Sequence, residues 1–448
     1  MGQKAQQTDI SQFGYQQELK RAFGVWQLTA YGLNYMIPIA PAIVFGFVLK
    51  ASGGTVALPY LFALCGMLFT AMGYAYFVKR YPLAGSVYNY VSKASNVKLG
   101  FLSGWAILLD YMLVPTVTAM SASVYIHNLM PWMPYEVILV TFIIFTGLLN
   151  LIGANPLAKL GLSMLIFGEL VIFIAFFVWA YAVHVHHLGV GHLVSAAPFH
   201  FSSFNALTAA TSIAMLSYLG FDAITTLAEE AKQPKKDIPK AIFLSLIIGS
   251  LTMFLTGYLG TLLVPDWHRF IHDTNWLNTA LFFVSQRAGG YGLEVFYTFG
   301  FVVAMAVFNV VATTGASRIV FSISRDGVLP IKCLSKISKR TRVPTYSILL
   351  IVGLQVIIGS LCSIDMITMV VNFGALLGFV ALNTAFLVHQ VRYDDLTGLK
   401  KAYLIVPIIG FALNLWILSH LAISALLSGV AWLCLGVVLL VINKPLLQ

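Results

Sequence analysis

An all-α polytopic membrane fold of twelve helices follows from three features of this chain: its apolar content, the length of its apolar runs and the placement of its basic residues. Of 448 residues, 59% are hydrophobic and only 9% charged, whereas soluble domains carry about 25% charge. Mean hydropathy is +0.87, so the chain belongs in lipid. Apolar runs of about 20 residues, enough to cross a hydrocarbon core of about 30 Å as a helix, recur from Trp26 to Ile442.

Twelve such spans are predicted, at about 24–48, 57–79, 98–127, 135–153, 158–185, 205–228, 239–264, 290–316, 344–362, 366–390, 402–421 and 424–442. The runs are continuously apolar and do not alternate with a period of two, which excludes an outer-membrane barrel. Met1 to Phe23 is polar, holds no apolar core and reads as a tail rather than a cleavable signal.

The net charge of +10 does not point to nucleic acid, because the cations fall almost wholly in alternate loops. Of the 26 Lys and Arg residues only Lys50, Arg269 and Arg287 fall outside that pattern, which places both termini in the cytoplasm of a plasma or inner membrane. Cys65, Cys333, Cys362 and Cys434 are scattered singly, so neither a disulfide framework nor a zinc site is expected. His184, His186, His187 and His192 crowd one outside loop with no acid or cysteine near them in sequence, and read as solvated loop. No metal, cofactor or enzyme is expected: there is no phosphate-binding loop, no nucleophile elbow and no helical His pair bracketing a Glu.

After the tail, residues 24–443 form a single transmembrane domain, with the longest polar stretches at 317–344 inside and 265–290 outside. Two spans are interrupted, the first by Pro38 and Pro41 before Gly46, the sixth by Gly220 amid Ser217, Tyr218 and Asp222. They lie five spans apart. Inverted-repeat transporters break one helix in each half to free backbone groups for a solute, and lipid tolerates freed backbone only around a protein-walled cavity. Repeats at about 24–185 and 205–390, followed by two further helices at about 402–442, fit that plan. The plainer alternative is a proline kink and a packing glycine.

Three acids lie within apolar runs: Asp110 in span 3, Glu169 in span 5 and Asp222 in span 6. An ionised acid at a helix centre costs about 2.5–3.5 kcal/mol on insertion scales, so such residues usually face a cavity and a partner. Asp222 follows the break in span 6 and is placed to pair with a substrate ammonium. Asp110 beside Tyr111 offers an acid and a ring for the same cation; an interhelical hydrogen bond is the alternative. Glu169 has no basic neighbour in its span and is the proton-coupling candidate, against a protonated acid bonded to a backbone carbonyl. Tyr35, Pro38, Ala40, Ser217, Tyr218, Gly220 and Phe221 complete the expected pocket. Glu229 and Glu230 at the membrane edge read as partners of Lys232 and Lys235.

Several strings together resemble the amino acid, polyamine and organocation superfamily of permeases: PLAGSVYNYV with Pro82, Gly85 and Tyr88, SGWAILLDYMLVP in span 3, LGFDAITTLAEE running into IPKAI, and SRDGVLP with Arg325, Asp326, Gly327 and Pro330. The resemblance covers nearly the whole chain. It implies the leucine-transporter-type fold, a 5+5 inverted repeat with broken helices 1 and 6. Within the group the LLDY and LGFDAxTTLxEE strings are most similar to the bacterial putrescine importer branch, which implies a diamine. That branch carries an acid in its broken first span, where this sequence has Ile43. The Gly-rich first-span string of amino acid carriers is absent too, so diamine and amino acid both stay open.

Proton-driven relatives place a titratable residue in span 5, and Glu169 sits in that neighbourhood. The resemblance thus implies a proton-coupled importer of a small amine-bearing solute working by alternating access. Substrate exchange is the rival within the class. A channel would line its pore with rings from several subunits, and a transport-like sensor would add a soluble segment.

Overall fold

In lipid a helix is the one open-ended structure that satisfies its own backbone, and a computed structural model of the chain is helical accordingly. It describes residues 21–83, 86–152, 154–325, 331–338, 341, 343–394 and 402–442, excepting the side chains of 154–166, 322, 323, 325 and 442. The expected tail up to residue 20, and Gly85, Asp326, Gly327 and Pro330 of the quoted strings, lie outside the described residues.

The helices run α1 Val25–Met36, α2 Pro41–Ser52, α3 Ala57–Arg80, α4 Ser86–Ala94, α5 Val97–Leu129, α6 Tyr135–Ile152, α7 Ala154–His184 and α8 Phe204–Ala214. They continue as α9 Pro234–Leu263, α10 Thr274–Arg325, α11 Thr345–Leu361, α12 Ile364–Tyr393, α13 Ile405–Ser419 and α14 Ile423–Ile442. Among the described residues ten helical segments are long and apolar enough to cross a bilayer, or eleven if the bent pair α1 and α2 is one span. The apolar α11 has 17 residues, about 25 Å of helix.

Both predicted interruptions are present, and each has a local cause. Pro38 has no N–H, so the Asn34 carbonyl loses its helical donor; Pro41 then starts α2 at the position that suits proline. Just before Pro38, Ile37 takes φ 49°, a strained value for a β-branched residue, and α2 leaves α1 at 56°. In span 6, α8 tightens into 3₁₀ turns over Met215–Tyr218 and Phe221–Leu227, parted by extended Leu219 and by Gly220 at φ 108°. The Asn372 side-chain amide donates to the Ser212 carbonyl at 2.7 Å near the end of α8.

The two breaks touch. A Cβ at Gly220 would stand 2.4 Å from Tyr35 Cδ1 and 2.6 Å from the Tyr35 carbonyl oxygen, just before the break in span 1. A second link joins the same spans: Ala22 and Phe23 donate to the Glu230 carbonyl at 2.8 and 3.1 Å, and Lys232 N–H donates to Phe23 O at 2.8 Å.

Two segments differ from the sequence reading. The outside stretch 265–290 was expected as loop, yet α10 begins inside it at Thr274 and turns at Gly290. Asp273 Oδ1 accepts from Asn275 N–H at 2.9 Å, capping the new start, and buried Trp276, Leu277, Ala280, Leu281 and Val284 follow at helical spacing. Likewise the Tyr88 string folds as the amphipathic α4, which buries Val87, Tyr90 and Val91.

Gly220→Ala should lower the melting temperature in detergent by several degrees and reduce transport severely. The added methyl meets the Tyr35 carbonyl as well as its ring, so moving the side chain alone does not relieve it, and its conformation is strained by about 1–3 kcal/mol even without the clash. Wild-type melting and transport in that variant would show that the breaks do not depend on this approach.

Candidate functional site

Asp222 is 2% exposed and enters from the turn directly after Gly220. Its Oδ2 accepts long hydrogen bonds from Tyr74 of α3 at 3.3 Å and Tyr111 of α5 at 3.4 Å. Three separate elements therefore converge on one carboxylate. The Tyr111 ring lies 5.7 Å from Tyr35, and Tyr35 meets Phe308 of α10 edge-on at 5.6 Å. Such aromatic walls suit a cation or an alkyl chain.

Asp110 is buried at 6% exposure, and its Oδ1 has no hydrogen-bond partner. It lines a cavity with Tyr35, Ala40, Ile43, Val114, Leu216, Leu219 and Phe308, among others. No Lys, Arg or His lines that cavity. An unpartnered buried polar group costs about 1–3 kcal/mol, more if charged, so the Asp110 carboxyl is a group awaiting a donor. The Tyr35 hydroxyl is likewise buried and unpartnered, near Gly315 of α10, whose added Cβ would lie 3.1 Å away.

Glu169 of α7 faces a second cavity with Asn34, Ile37, Pro38, Ile39, Gly168, Ile172, Ala304, Val307 and Phe308. Its Oε1 is unpartnered. The cavity abuts the carbonyl end of α1, where helix partial charge is negative, so two concentrations of negative charge share one small space. Ile37 and Phe308 belong to both cavities.

The structure thus brings together Tyr35, Ala40, Asp110, Tyr111, Gly220 and Asp222, with Pro38 and Glu169 next door. Ser217 and Tyr218 turn the other way: Ser217 Oγ pairs with the Tyr60 hydroxyl at 3.1 Å, and Tyr218 donates to the Tyr60 carbonyl at 2.8 Å. Phe221 lies below Asp222 in a ring cluster, 5.7 Å from Tyr74 and 5.6 Å from Phe379. Tyr74, Asn34 and Phe308 are site residues that the sequence reading did not single out. Each sits in an unbroken span among many similar residues or, for Asn34, one turn ahead of the proline that gives it meaning.

At the membrane edge Glu230 faces Arg318 of α10; burial pushes its carboxyl up and the guanidinium pulls it back, with a net rise. Among the described residues no group of three or more His, Cys, Asp or Glu side chains is arranged to hold a metal ion.

Comparison with known proteins agrees with this architecture. A family described as amino acid permease matches residues 23–445. The low-affinity putrescine importer PlaP of Escherichia coli (strain K12) is 30% identical over 432 residues, covering 94% of this chain and 93% of that protein. The branched-chain amino acid permease BcaP of Bacillus subtilis (strain 168) is 25% identical over 447 residues, with 95% and 93% covered. Cationic amino acid transporter 4 of Mus musculus is 24% identical over 394 residues, with 84% and 60% covered. These relatives are permeases and transporters, not enzymes. With the family match running almost from end to end of its apolar helices, this integral membrane protein belongs to the amino acid permease family.

Proposed function

We propose that the chain is a secondary active transporter that imports a small amine-bearing solute, an amino acid or a putrescine-like polyamine, by proton symport with alternating access. In this reading it crosses the plasma membrane twelve times, α11 included, as a 5+5 inverted repeat plus α13 and α14. The observation that carries the reading is the pair of buried acids, Asp110 and Asp222, beside touching helix breaks and the Tyr35–Tyr111 pair, with no basic side chain lining the Asp110 cavity. A cation is the ligand such a site lacks.

Asp222 holds one ammonium with Tyr111, and the orphaned Asp110 oxygen takes a second donor from the same solute. Tyr35, Ala40 and Ile43 wall the alkyl part, while Ser217, Tyr218 and Phe221 hold span 6 in place from behind. The similarity to PlaP, a putrescine importer by its name, supports a diamine. Ile43, apolar and 3% exposed in the Asp110 cavity, leaves an amino acid as the second reading, which the similarity to BcaP favours.

Labelled putrescine uptake into proteoliposomes under an inward proton gradient, competed by amines and amino acids, separates the two. Blockade by diamines alone supports the first; counterflow with an amino acid and no putrescine uptake supports the second. Asp110→Asn and Asp222→Asn should each lower kcat/KM for the transported solute by about tenfold or more, about 1.4 kcal/mol per factor of ten. Normal rates in both variants would remove the cation site.

Glu169 takes the coupling proton in this reading, because a carboxyl facing the negative end of α1 is neutralised by protonation without a second ligand. Glu169→Gln should abolish the response of uptake to an imposed proton gradient and leave labelled-solute counterflow in place. A variant with unchanged pH dependence would leave exchange as the transport mode.

Both termini lie in the cytoplasm in this topology, on the side of Lys79, Arg80 and the other clustered cations. Impermeant labelling of tags at the two ends should therefore succeed in inside-out vesicles and fail in intact cells. Labelling from the outside at either end would reverse the orientation.

A further inference from the structure

Below Asp222 the space between α3, α4 and α12 is filled by rings in mutual contact. Tyr74 meets Phe221, Phe379 and Tyr90 at 5.7, 6.3 and 6.1 Å, Tyr90 stacks on Phe77 at 5.2 Å, and Phe77 reaches Phe386 and His389 at 6.4 and 5.6 Å. At the far end of this plug lies a polar cluster that the solute site does not use. Asp394 Oδ1 accepts from Arg80 at 2.7 Å, and its Oδ2 accepts from the Tyr76 hydroxyl at 2.9 Å. His389 Nδ1 is 2.9 Å from the Tyr76 hydroxyl and Nε2 is 2.9 Å from the Tyr81 hydroxyl. Arg80 also lies 3.6 Å over the Tyr76 ring.

The protons in this cluster follow from counting. Tyr76 has a single hydroxyl proton, and the Asp394 carboxylate can only accept. Tyr76 therefore donates to Asp394 and accepts from His389 Nδ1–H. Neutral His389 then has Nε2 as acceptor, and Tyr81 supplies the matching donor. Every member is satisfied, with α3 tied to α12 by an ion pair and a relay through one buried imidazole that is 2% exposed. Protonation puts a hydrogen on Nε2, so that Tyr81 must stop donating and turn its hydroxyl to accept, and it sets a second cation beside Arg80 with Asp394 as the single carboxylate of the cluster among the described residues. Among the described residues the other ionisable group against the ring is Tyr393, 4.6 Å away on the same helix. Arg392 turns aside to the Ala94 carbonyl of α4 at 3.3 Å.

We propose that His389, Tyr76, Tyr81, Arg80 and Asp394 form a proton-released latch that holds the cytoplasmic ends of α3 and α12 together and so keeps the aromatic plug beneath the solute site shut. The word cytoplasmic rests on the topology proposed above; the latch itself does not. These are positioning residues, acting on the solute only through the plug.

Hydrogen exchange of the full chain in lipid nanodiscs tests this without any transport. Backbone protection in peptides covering α4 and the ends of α3 and α12 is compared at about pH 8 and about pH 5.5, on either side of the ordinary imidazole range, each normalised to unstructured rates. Wild type should lose protection there by about tenfold at the lower pH. His389→Gln, which offers a donor nitrogen and an acceptor oxygen that do not titrate, should stay protected at both values, and Asp394→Asn should be open at both. Tyr81→Phe, which removes the donor that neutral Nε2 needs, should move the loss to higher pH. Equal wild-type protection at the two values, or a His389→Gln variant that still opens in acid, overturns the latch. Because the readout is exchange rather than uptake, failure of the latch leaves the transport reading intact, and failure of transport leaves the latch intact.

Discussion

The rest of the molecule depends on one constraint: a backbone group freed inside a bilayer must find a partner in the protein or line a cavity. Pro38 takes the helical donor from a carbonyl at the end of α1, and Gly220 interrupts span 6 at the same place. Neither break is tenable alone in hydrocarbon. The chain solves this by setting one against the other, Tyr35 on Gly220, and by sending a side chain from a distant helix to an exposed end. Asn372 of α12 reaches the Ser212 carbonyl near the end of α8. The space left over beside the two breaks is lined by Asp110 and Glu169, with Asp222 held next to it by Tyr74 and Tyr111.

That arrangement also orders the molecule in layers. The orphaned carboxyl and the aromatic pair lie at the breaks, a plug of touching rings follows, and a fully satisfied polar cluster closes the far end. The contrast in hydrogen bonding is informative. Asp394 has a partner on each oxygen and His389 one on each nitrogen, whereas Asp110, Tyr35 and Glu169 each keep an unpartnered buried atom. Satisfied networks fix structure; unsatisfied ones in a cavity leave affinity for something absent.

Much of this was legible from residues alone, because the strongest signals are the ones lipid enforces. Long apolar runs give the spans, Pro38 and Pro41 with Gly220 give the breaks, and acids costly to bury mark the candidate site. What stayed hidden depends on which way a side chain turns. Ser217 and Tyr218 flank the break as closely as Asp222 does, yet the 3₁₀ turn over Met215–Tyr218 rotates them onto Tyr60. Tyr74 is one of 20 tyrosines and has no local mark of its role. The helix from Thr274 was hidden because its apolar residues cover one face only, too few to raise the mean hydropathy of a stretch that also holds Asp266, Arg269, Asp273 and Arg287. The His389 cluster joins residues over 300 positions apart, a distance no local pattern spans.

The strained backbone at Ile37 ties these layers to the proposed coupling. A β-branched residue at φ 49° carries about 1–3 kcal/mol that the surrounding structure must hold, and Ile37 does so while lining both the Glu169 cavity and the Asp110 cavity. Phe308 is shared in the same way and also packs edge-on against Tyr35. In the proposed mechanism a proton arriving on one side and a solute on the other press on the same two residues. Coupling between two sites must be reciprocal in binding free energy, and a shared wall at a hinge is a physical means for it: whichever ligand arrives first changes the space offered to the second. On the proposed mechanism a stiff, bulky residue at the break in span 1, where glycine would be easier to accommodate, has a use, since a flexible hinge would yield without transmitting the change.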